Sequence, residues 1–430
     1  MDSERLLAAV KAALAGGPPY APDAASSALG VGSAARWPQG AAAILPTSGS
    51  TGRPRWVALG AAAVRACAEA SAEALGGTGA WLLALPADRI AGVNVLARAA
   101  LAGSALVALA PGPFTAEAFA AGAARLPAGP KYTSLVPTQL GRVLAGPAEA
   151  RLALAGFDAV LVGGAALDPA LRARAEAAGA RLVETYGMTE TCGGCVYDGL
   201  PLPGVEIGLA AGIIQRGGPT LALGYLDLAA RAAPGGRPGG DGPPGPSRRA
   251  PKERPQPAVG LAEPAPQACP PTAPGAPGLR AGAAGRGFFE WGGRRWFGSS
   301  DVGAWTPSGA LRVVGRADFA ITTGGRTVRP EPVEAALLEL EGVAQALVVG
   351  LPEAEWGELV TALVVPAEGG GPAAGHLRAR LKARLGAAAA PRRLGLVARL
   401  PLAASGKPDR AAGRQLAARL AAAGQLQELS

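Results

Sequence analysis

The residues of this chain best suited to handling charge lie in a few short stretches. Ile44-Leu45-Pro46-Thr47-Ser48-Gly49-Ser50-Thr51-Gly52-Arg53-Pro54-Arg55 runs from an apolar segment into small hydroxyl and glycine residues and ends on two arginines. Backbone N–H groups and hydroxyls in such a loop can surround phosphate oxygens while guanidinium groups offset their charge. No Gly-Lys-Ser/Thr stands at Walker spacing, and a plain Gly/Ser turn between two strands is the alternative reading. Tyr186-Gly187-Met188-Thr189-Glu190-Thr191 gathers an aromatic face, a hydroxyl and a carboxylate. Tyr186 can stack on a base, Thr189 can donate to a phosphate, and Glu190 can hold Mg²⁺, which takes carboxylate oxygens together with phosphate. The alternative is a strand-ending turn with a solvent-facing glutamate. Ser300-Asp301-Val302-Gly303 places a carboxylate at an expected turn, and Gly315-Arg316-Ala317-Asp318-Phe319 joins a charged turn to Gly324-Gly325. Near the end, Ser405-Gly406-Lys407 sets one of the chain's scarce lysines on a Gly/Pro loop, where a solvated side chain is the default.

These stretches must be positioned by the elements between them. Residues 2 to 15 alternate apolar and charged positions at helical spacing, and Ala41 to Leu45 reads as a buried strand. Helices are expected at Ala61 to Leu75, Ile90 to Leu101, Thr115 to Leu126, Pro137 to Leu144 and Asp168 to Ala178. Strands are expected at Trp81 to Leu85, Ala105 to Leu109, Lys131 to Leu135, Phe157 to Val162 and Arg181 to Thr185. Such alternation predicts an α/β domain on a largely parallel sheet, with ligands at the carboxyl ends of its strands. The Ser48–Gly52 loop, Gly163-Gly164 and the segment after Thr185 all follow strand ends.

Residues 230 to 286 are rich in Pro and Gly with few large apolar side chains, and read as a disordered insertion, since such a segment cannot bury enough surface to offset its ordering entropy. Order is expected again at Phe288-Phe289-Glu290-Trp291 and Trp296-Phe297 as short strands. A helix opens at Pro330, strands follow at Gln345 to Val349 and Thr361 to Val365, and a helix spans His376 to Leu385. This makes a large N-terminal unit, 1–317, and a small α+β unit, 318–430.

With 41 Lys+Arg against 32 Asp+Glu the net charge is +9, yet aromatics are only 4% and no basic run interleaves with them, which argues against nucleic acid. The arginine excess belongs to a bias toward Ala, Gly, Pro and Arg across the whole chain. Cys67, Cys192, Cys195 and Cys269 are too few for a disulfide framework in 430 residues. The Cys192-Gly-Gly-Cys195 pair lacks the second ligand pair that tetrahedral zinc wants, and the single histidine, His376, lies far along the chain. Small residues shaping a pocket is the reading, with a dithiol role as the alternative. The opening Met-Asp-Ser-Glu-Arg argues against a signal peptide, and Arg98 interrupts the longest apolar region, so no membrane span is expected. The expectation is a cytoplasmic protein; the sequence leaves open whether it forms a homodimer.

Taken together and in order, Thr47-Ser-Gly-Ser-Thr-Gly52, Tyr186-Gly-Met-Thr-Glu190, Asp301, Gly315-Arg316-Ala-Asp318, Gly324-Gly325 and Ser405-Gly-Lys407 resemble the adenylate-forming superfamily of acyl- and aryl-CoA ligases. More narrowly, Leu85-Pro86 with Ile90-Ala-Gly92, Tyr132 to Gln139, and Tyr186 through Gly199 resemble the compact actinobacterial o-succinylbenzoate–CoA ligases of menaquinone biosynthesis. The resemblance implies a large domain of mainly parallel sheets and a small mobile C-terminal domain, with ATP, Mg²⁺ and coenzyme A serving a carboxylic acid substrate. It implies that Thr47, Ser48, Gly49, Ser50, Thr51, Gly52 and Arg55 hold phosphates, that Thr189 contacts the α-phosphate and that Glu190 holds Mg²⁺. Gly163, Gly164 and Tyr186 would frame adenine, and Asp301 with Arg316 the ribose. Lys407 would bridge the reacting carboxylate and α-phosphate, Asp318 would be the hinge, and Gly325 would line the pantetheine tunnel. Arg55 stands where relatives carry lysine, Asp88-Arg89 where they carry histidine, Phe319 replaces a commonly polar neighbour of the hinge, and the Pro-rich insertion is outside the pattern. Another aryl- or acyl-CoA ligase, or a catalytically silent nucleotide-binding relative, fits the same motifs.

Overall fold

The computed structural model describes residues 3–21, 38–47, 55–226, 287–367, 370, 374–402 and 408–429. The expected insertion at 230–286, and Ser48, Gly49, Ser50, Thr51, Gly52 and Lys407, lie outside these residues.

Helix α1 (Ser3–Leu14) buries Leu6, Val10, Ala13 and Leu14, an apolar stripe at helical spacing. Strand β1 (Ala41–Thr47) buries its first five residues, as its continuous apolar run requires. It pairs antiparallel with β2 (Arg55–Gly60), and Thr47 faces Arg55 at the mouth of the connecting loop. Helix α2 (Ala61–Ala74) follows directly.

A run of strand–helix units then builds the main sheet: β3 (Ala80–Leu83), α3 (Ile90–Ala102), β4 (Leu106–Ala108), α4 (Ala116–Ala124), β5 (Lys131–Leu135), α5 (Pro137–Ala145), α6 (Ala148–Ala155), β6 (Ala159–Gly163), α7 (Pro169–Ala177) and β7 (Leu182–Met188). The strand order β4-β3-β5-β6-β7 is parallel throughout, and β8 (Gly193–Tyr197) and β9 (Leu200–Pro201) extend it antiparallel. Helices cover both faces, as a parallel sheet needs. One core holds Val64 and Cys67 of α2 with Val93 and Leu96 of α3; the other holds Phe119, Leu140 and Leu154 of α4, α5 and α6. Local chemistry sets the helix starts. Thr115 and Asp168 accept from the backbone at the heads of α4 and α7, and Pro137 opens α5.

The chain next forms β10 (Glu206–Ala210), β11 (Ile213–Gly217) and β12 (Gly224–Leu226), the last pairing with β2. Strands β13 (Gly287–Trp291), β14 (Arg294–Trp305) and β15 (Leu311–Arg316) complete a second, antiparallel sheet with β10 and β11. Here one expectation is corrected: Ser300–Gly303 is no turn but part of β14. Ile213 faces Val302 while Gln215 faces Gly298, so three residues of β14, Ser299 to Asp301, stand against the single Ile214 of β11 and form a bulge. Small and polar residues suit a bulge as well as they suit a turn.

A single 3₁₀ turn, Ala317–Phe319, leads into the C-terminal part. There β16 (Ile321–Thr323), β17 (Arg326–Val328), α8 (Pro330–Leu338), β18 (Val343–Glu353), β19 (Gly357–Pro366), α9 (Ala374–Leu385), β20 (Arg393–Leu396), α10 (Arg410–Ala422) and β21 (Gln427–Glu428) follow. Their sheet has cores of its own, with Val333, Leu337 and Leu381 on one side and Leu347, Leu363 and Ala417 on the other. The whole is a mixed α/β chain with a large N-terminal and a small C-terminal part. Among the described residues no helix is long and apolar enough to cross a membrane.

Candidate active site

The carboxyl ends of β6 and β7 set the floor of the site. Gly163 lies opposite Thr185, and a Cβ on it would stand 2.3 Å from Thr185 Oγ1, so glycine is needed for the strands to approach. After β7 the chain reverses through the 3₁₀ turn Thr189–Thr191. Thr191 Oγ1 accepts from Met188 N (3.0 Å) and lies 2.9 Å from Gly193 O, to which it donates, while Cys192 takes a left-handed φ of 55°. This knot fixes the backbone on both sides of Thr189 and Glu190.

Asp301 anchors a buried charge cluster. Its Oδ2 accepts from Tyr186 Oη at 2.6 Å and from Arg216 Nη2 at 2.9 Å; its Oδ1 accepts from Arg316 Nη1 at 3.3 Å. Arg316 sits opposite Asp301 in the β14–β15 register and also binds Asp318 through two hydrogen bonds, 2.8 and 2.6 Å. The Arg216 guanidinium stacks over the Tyr186 ring at 4.8 Å. Burial pulls the Arg216 pKa down to about 10, against the opposing pull of the Asp301 charge, so it stays a cation at neutral pH. Tyr186, Asp301, Arg316 and Asp318 are therefore brought together as the sequence motifs lead one to expect. Arg216 was not among the expected residues; its one signal is a charge inside the apolar strand Ile213-Ile214-Gln215-Arg216.

A second cluster surrounds Glu190. The carboxylate is 6% exposed, and its Oε1 accepts from Tyr225 Oη at 2.8 Å. Arg55 Nη2 lies 3.9 Å from the same oxygen, and the Arg55 guanidinium stacks on the Tyr225 ring at 4.2 Å. Burial and then the neighbouring Glu190 charge raise the Tyr225 pKa, so the phenol remains a donor. Tyr225 reaches this place because β12 pairs with β2, which carries Arg55 at its start. Nothing in the local sequence around Tyr225 marks it. Arg55 thus stands between Glu190 and Thr47, whose Oγ1 donates to Arg55 O at 3.2 Å.

Behind the Thr189–Thr191 turn, helices α2 and α3 close a polar interior. Asn94 Nδ2 donates to Cys192 O at 2.7 Å, and Ser71 Oγ and Arg98 Nη2 lie 2.8 and 2.9 Å from Tyr197 Oη. Arg98 is 7% exposed, stacks on Trp81 at 5.1 Å, and its buried Nε has no hydrogen-bond partner among the described residues. No acidic side chain among the described residues pairs with it. Cys67, Cys192 and Cys195 are free and buried here. A hydrogen bond with Cys192 and the Arg98 charge hold the Cys67 thiol down to about 7 despite burial, whereas burial pushes Cys195 up to about 12.

Gly164 and Gly325 have positive φ, 86° and 72°, and a Cβ on Gly325 would meet open space. The loop Ser48–Gly52 and Lys407 lie outside the described residues, but Thr47 and Arg55 fix both ends of the first.

Residues 8–214 match the family described as AMP-binding enzyme, and residues 332–407 match the AMP-binding enzyme C-terminal domain. The chain is 40% identical, over 86% of its length and 83% of the relative's, to a probable 2-succinylbenzoate–CoA ligase of Mycobacterium tuberculosis. It is 30% identical to an indoleacetate–CoA ligase of Aromatoleum aromaticum, over 89% of this chain and 68% of the relative. In fold it is similar to the o-succinylbenzoate CoA synthetase of Bacillus subtilis solved with an acyl-adenylate intermediate (TM-score 0.63, 24% identity, 86% of this chain and 68% of that one). The amide bond synthetase of Marinactinospora thermotolerans shares the fold as well (TM-score 0.67, 24% identity, 89% and 71%).

Proposed function

Since the chain belongs to the AMP-binding enzyme family, we propose that it joins o-succinylbenzoate to coenzyme A at the expense of ATP, in the cytoplasm. A carboxylate oxygen of the acid attacks the α-phosphorus of ATP, the bond to the bridging oxygen breaks, and pyrophosphate leaves an acyl-adenylate. The thiolate of coenzyme A then attacks the acyl carbon, the carbon–oxygen bond to phosphate breaks, and AMP leaves a thioester. Both steps ask the protein for alignment and charge stabilisation rather than covalent help.

The two clusters supply these. Tyr186 and Asp301, with Gly163 and Gly164 below them, take the adenosine, and Arg316 steadies Asp301. Thr47, Arg55 and the Ser48–Gly52 loop take the phosphates, with Thr189 at the α-phosphate. Glu190 suits Mg²⁺: it offers hard carboxylate oxygens, one of them 3.9 Å from Arg55 Nη2, and Tyr225 orients it. Magnesium, when bound there, would neutralise phosphate charge. Lys407, carried by the C-terminal part beyond the hinge at Asp318, would face the reacting carboxylate, and Gly325 would admit the pantetheine arm. We take 1–317 and 318–430 as the two units that move.

Arg98 selects the acyl substrate. A buried guanidinium that meets only the Tyr197 phenol and the Cys67 thiol, with no carboxylate among the described residues, is better offset when a ligand supplies one. An aromatic acid carrying a second carboxylate supplies it; benzoate or a fatty acid does not. The test is thioester formation by wild type and Arg98→Met with o-succinylbenzoate and benzoate. We expect the variant to lose about a hundredfold in kcat/KM for the diacid and little for benzoate. Equal losses on both acids would reject the assignment.

A further inference from the structure

Arg216 lies on β11, deep in the second sheet, with none of its surface exposed. Its Nη2 binds Asp301 Oδ2, Nη1 lies 3.4 Å from Ile214 O, and its buried Nε has no partner among the described residues. Burying an arginine this completely costs stability, and one carboxylate only partly offsets it. The geometry shows what that cost achieves. Asp301 Oδ2 is occupied by two donors, Tyr186 Oη and Arg216 Nη2, while among the described residues Oδ1 is met only by Arg316, at the longer distance of 3.3 Å. Arg316 is itself partly exposed and committed to Asp318 by two shorter bonds. The carboxylate is thus clamped by one oxygen and left with acceptor capacity on the other. The same guanidinium covers the Tyr186 ring and so limits its tilt.

We infer that Arg216 is a positioning residue: it locks the Asp301 carboxylate so that Oδ1 faces the ribose hydroxyls, and through Asp301 and Tyr186 it sets the preference for a ribonucleotide. This rests on the nucleotide reading given above. Without Arg216 the carboxylate keeps Tyr186 but is free to turn toward Arg316, the remaining cation, and the oxygen meant for the sugar is spent.

The test is calorimetric titration of the full chain with AMP, 2′-deoxy-AMP and 3′-deoxy-AMP, for wild type, Arg216→Met and Arg216→Lys. Wild type should bind AMP at least about tenfold more tightly than one of the deoxy forms, the worth of a hydrogen bond to a charged group. In Arg216→Met the AMP affinity should fall to that of the deoxy form, whose own affinity stays nearly constant, so the ratio collapses toward one. Arg216→Lys, which keeps a buried cation if the methionine variant does not fold, should retain part of the ratio. A general packing defect would weaken all three nucleotides together and leave the ratio intact, and that result overturns the inference while sparing the nucleotide reading. Absence of AMP binding by wild type would overturn both.

Discussion

Tyr186 Oη stands 2.6 Å from Asp301 Oδ2, tying the end of β7 in the parallel sheet to the bulge of β14 in the antiparallel one. The contact spans 115 positions of sequence and fixes the seam where the adenosine is proposed to lie. Tyr186→Phe keeps the ring and removes the donor. AMP affinity should fall about tenfold, as expected for a hydrogen bond to a carboxylate, and calorimetric titration reads it directly.

The ion pair beneath that seam makes a stability prediction. Arg216 and Asp301 are both buried, so Asp301→Ala leaves an uncompensated cation and should cost about 3–5 kcal/mol in urea unfolding. Adding Arg216→Met to Asp301→Ala should return much of the loss, because the double variant buries no unpaired charge. Additive losses would show that the pair is not coupled.

Glu190 and Tyr225 should separate by metal dependence. Glu190→Gln removes the carboxylate and should lower adenylation at any Mg²⁺ concentration by about a hundredfold. Tyr225→Phe removes only its orienting donor and should raise the Mg²⁺ needed for half-maximal rate about tenfold, with the plateau rate largely kept. A Mg²⁺ titration of initial rates distinguishes the two patterns.

The Arg316–Asp318 pair predicts a pH window. Burial opposes the Asp318 charge, but the hydrogen bonds and charge of Arg316 outweigh it and hold the carboxyl below its ordinary range. A depressed folded value adds stability above the unfolded carboxylate pKa, which is lost as pH falls through the folded value. Asp318→Asn should therefore unfold more readily than wild type at pH 7, and the two melting curves should converge as the pH approaches about 2. A gap that persists in acid would assign the effect to packing.

Much of this was legible in the sequence. The run Ala41–Leu45, the alternation from Trp81 to Thr185 and the proline at the head of α5 each carry a local signal, and the parallel sheet follows from them. Tyr186, Glu190, Asp301 and Arg316 were readable as motif residues because each sits in a stretch of unusual local composition. Arg216 and Tyr225 were not, since their importance comes from strand pairing: β11 sets Arg216 against the bulge of β14, and β12 carries Tyr225 to β2. The same non-local pairing turned the expected Ser300–Gly303 turn into a strand. Short helix α6, rich in alanine, gave no contrast between a buried and an exposed face.

Activation of a carboxylic acid as its adenylate at this site is read by exchange of labelled pyrophosphate into ATP without coenzyme A. Exchange should require both Mg²⁺ and o-succinylbenzoate, run far faster with that acid than with benzoate or a fatty acid, and be lost in Lys407→Ala. Exchange driven equally well by unrelated acids, or none with any acid, would contradict this expectation.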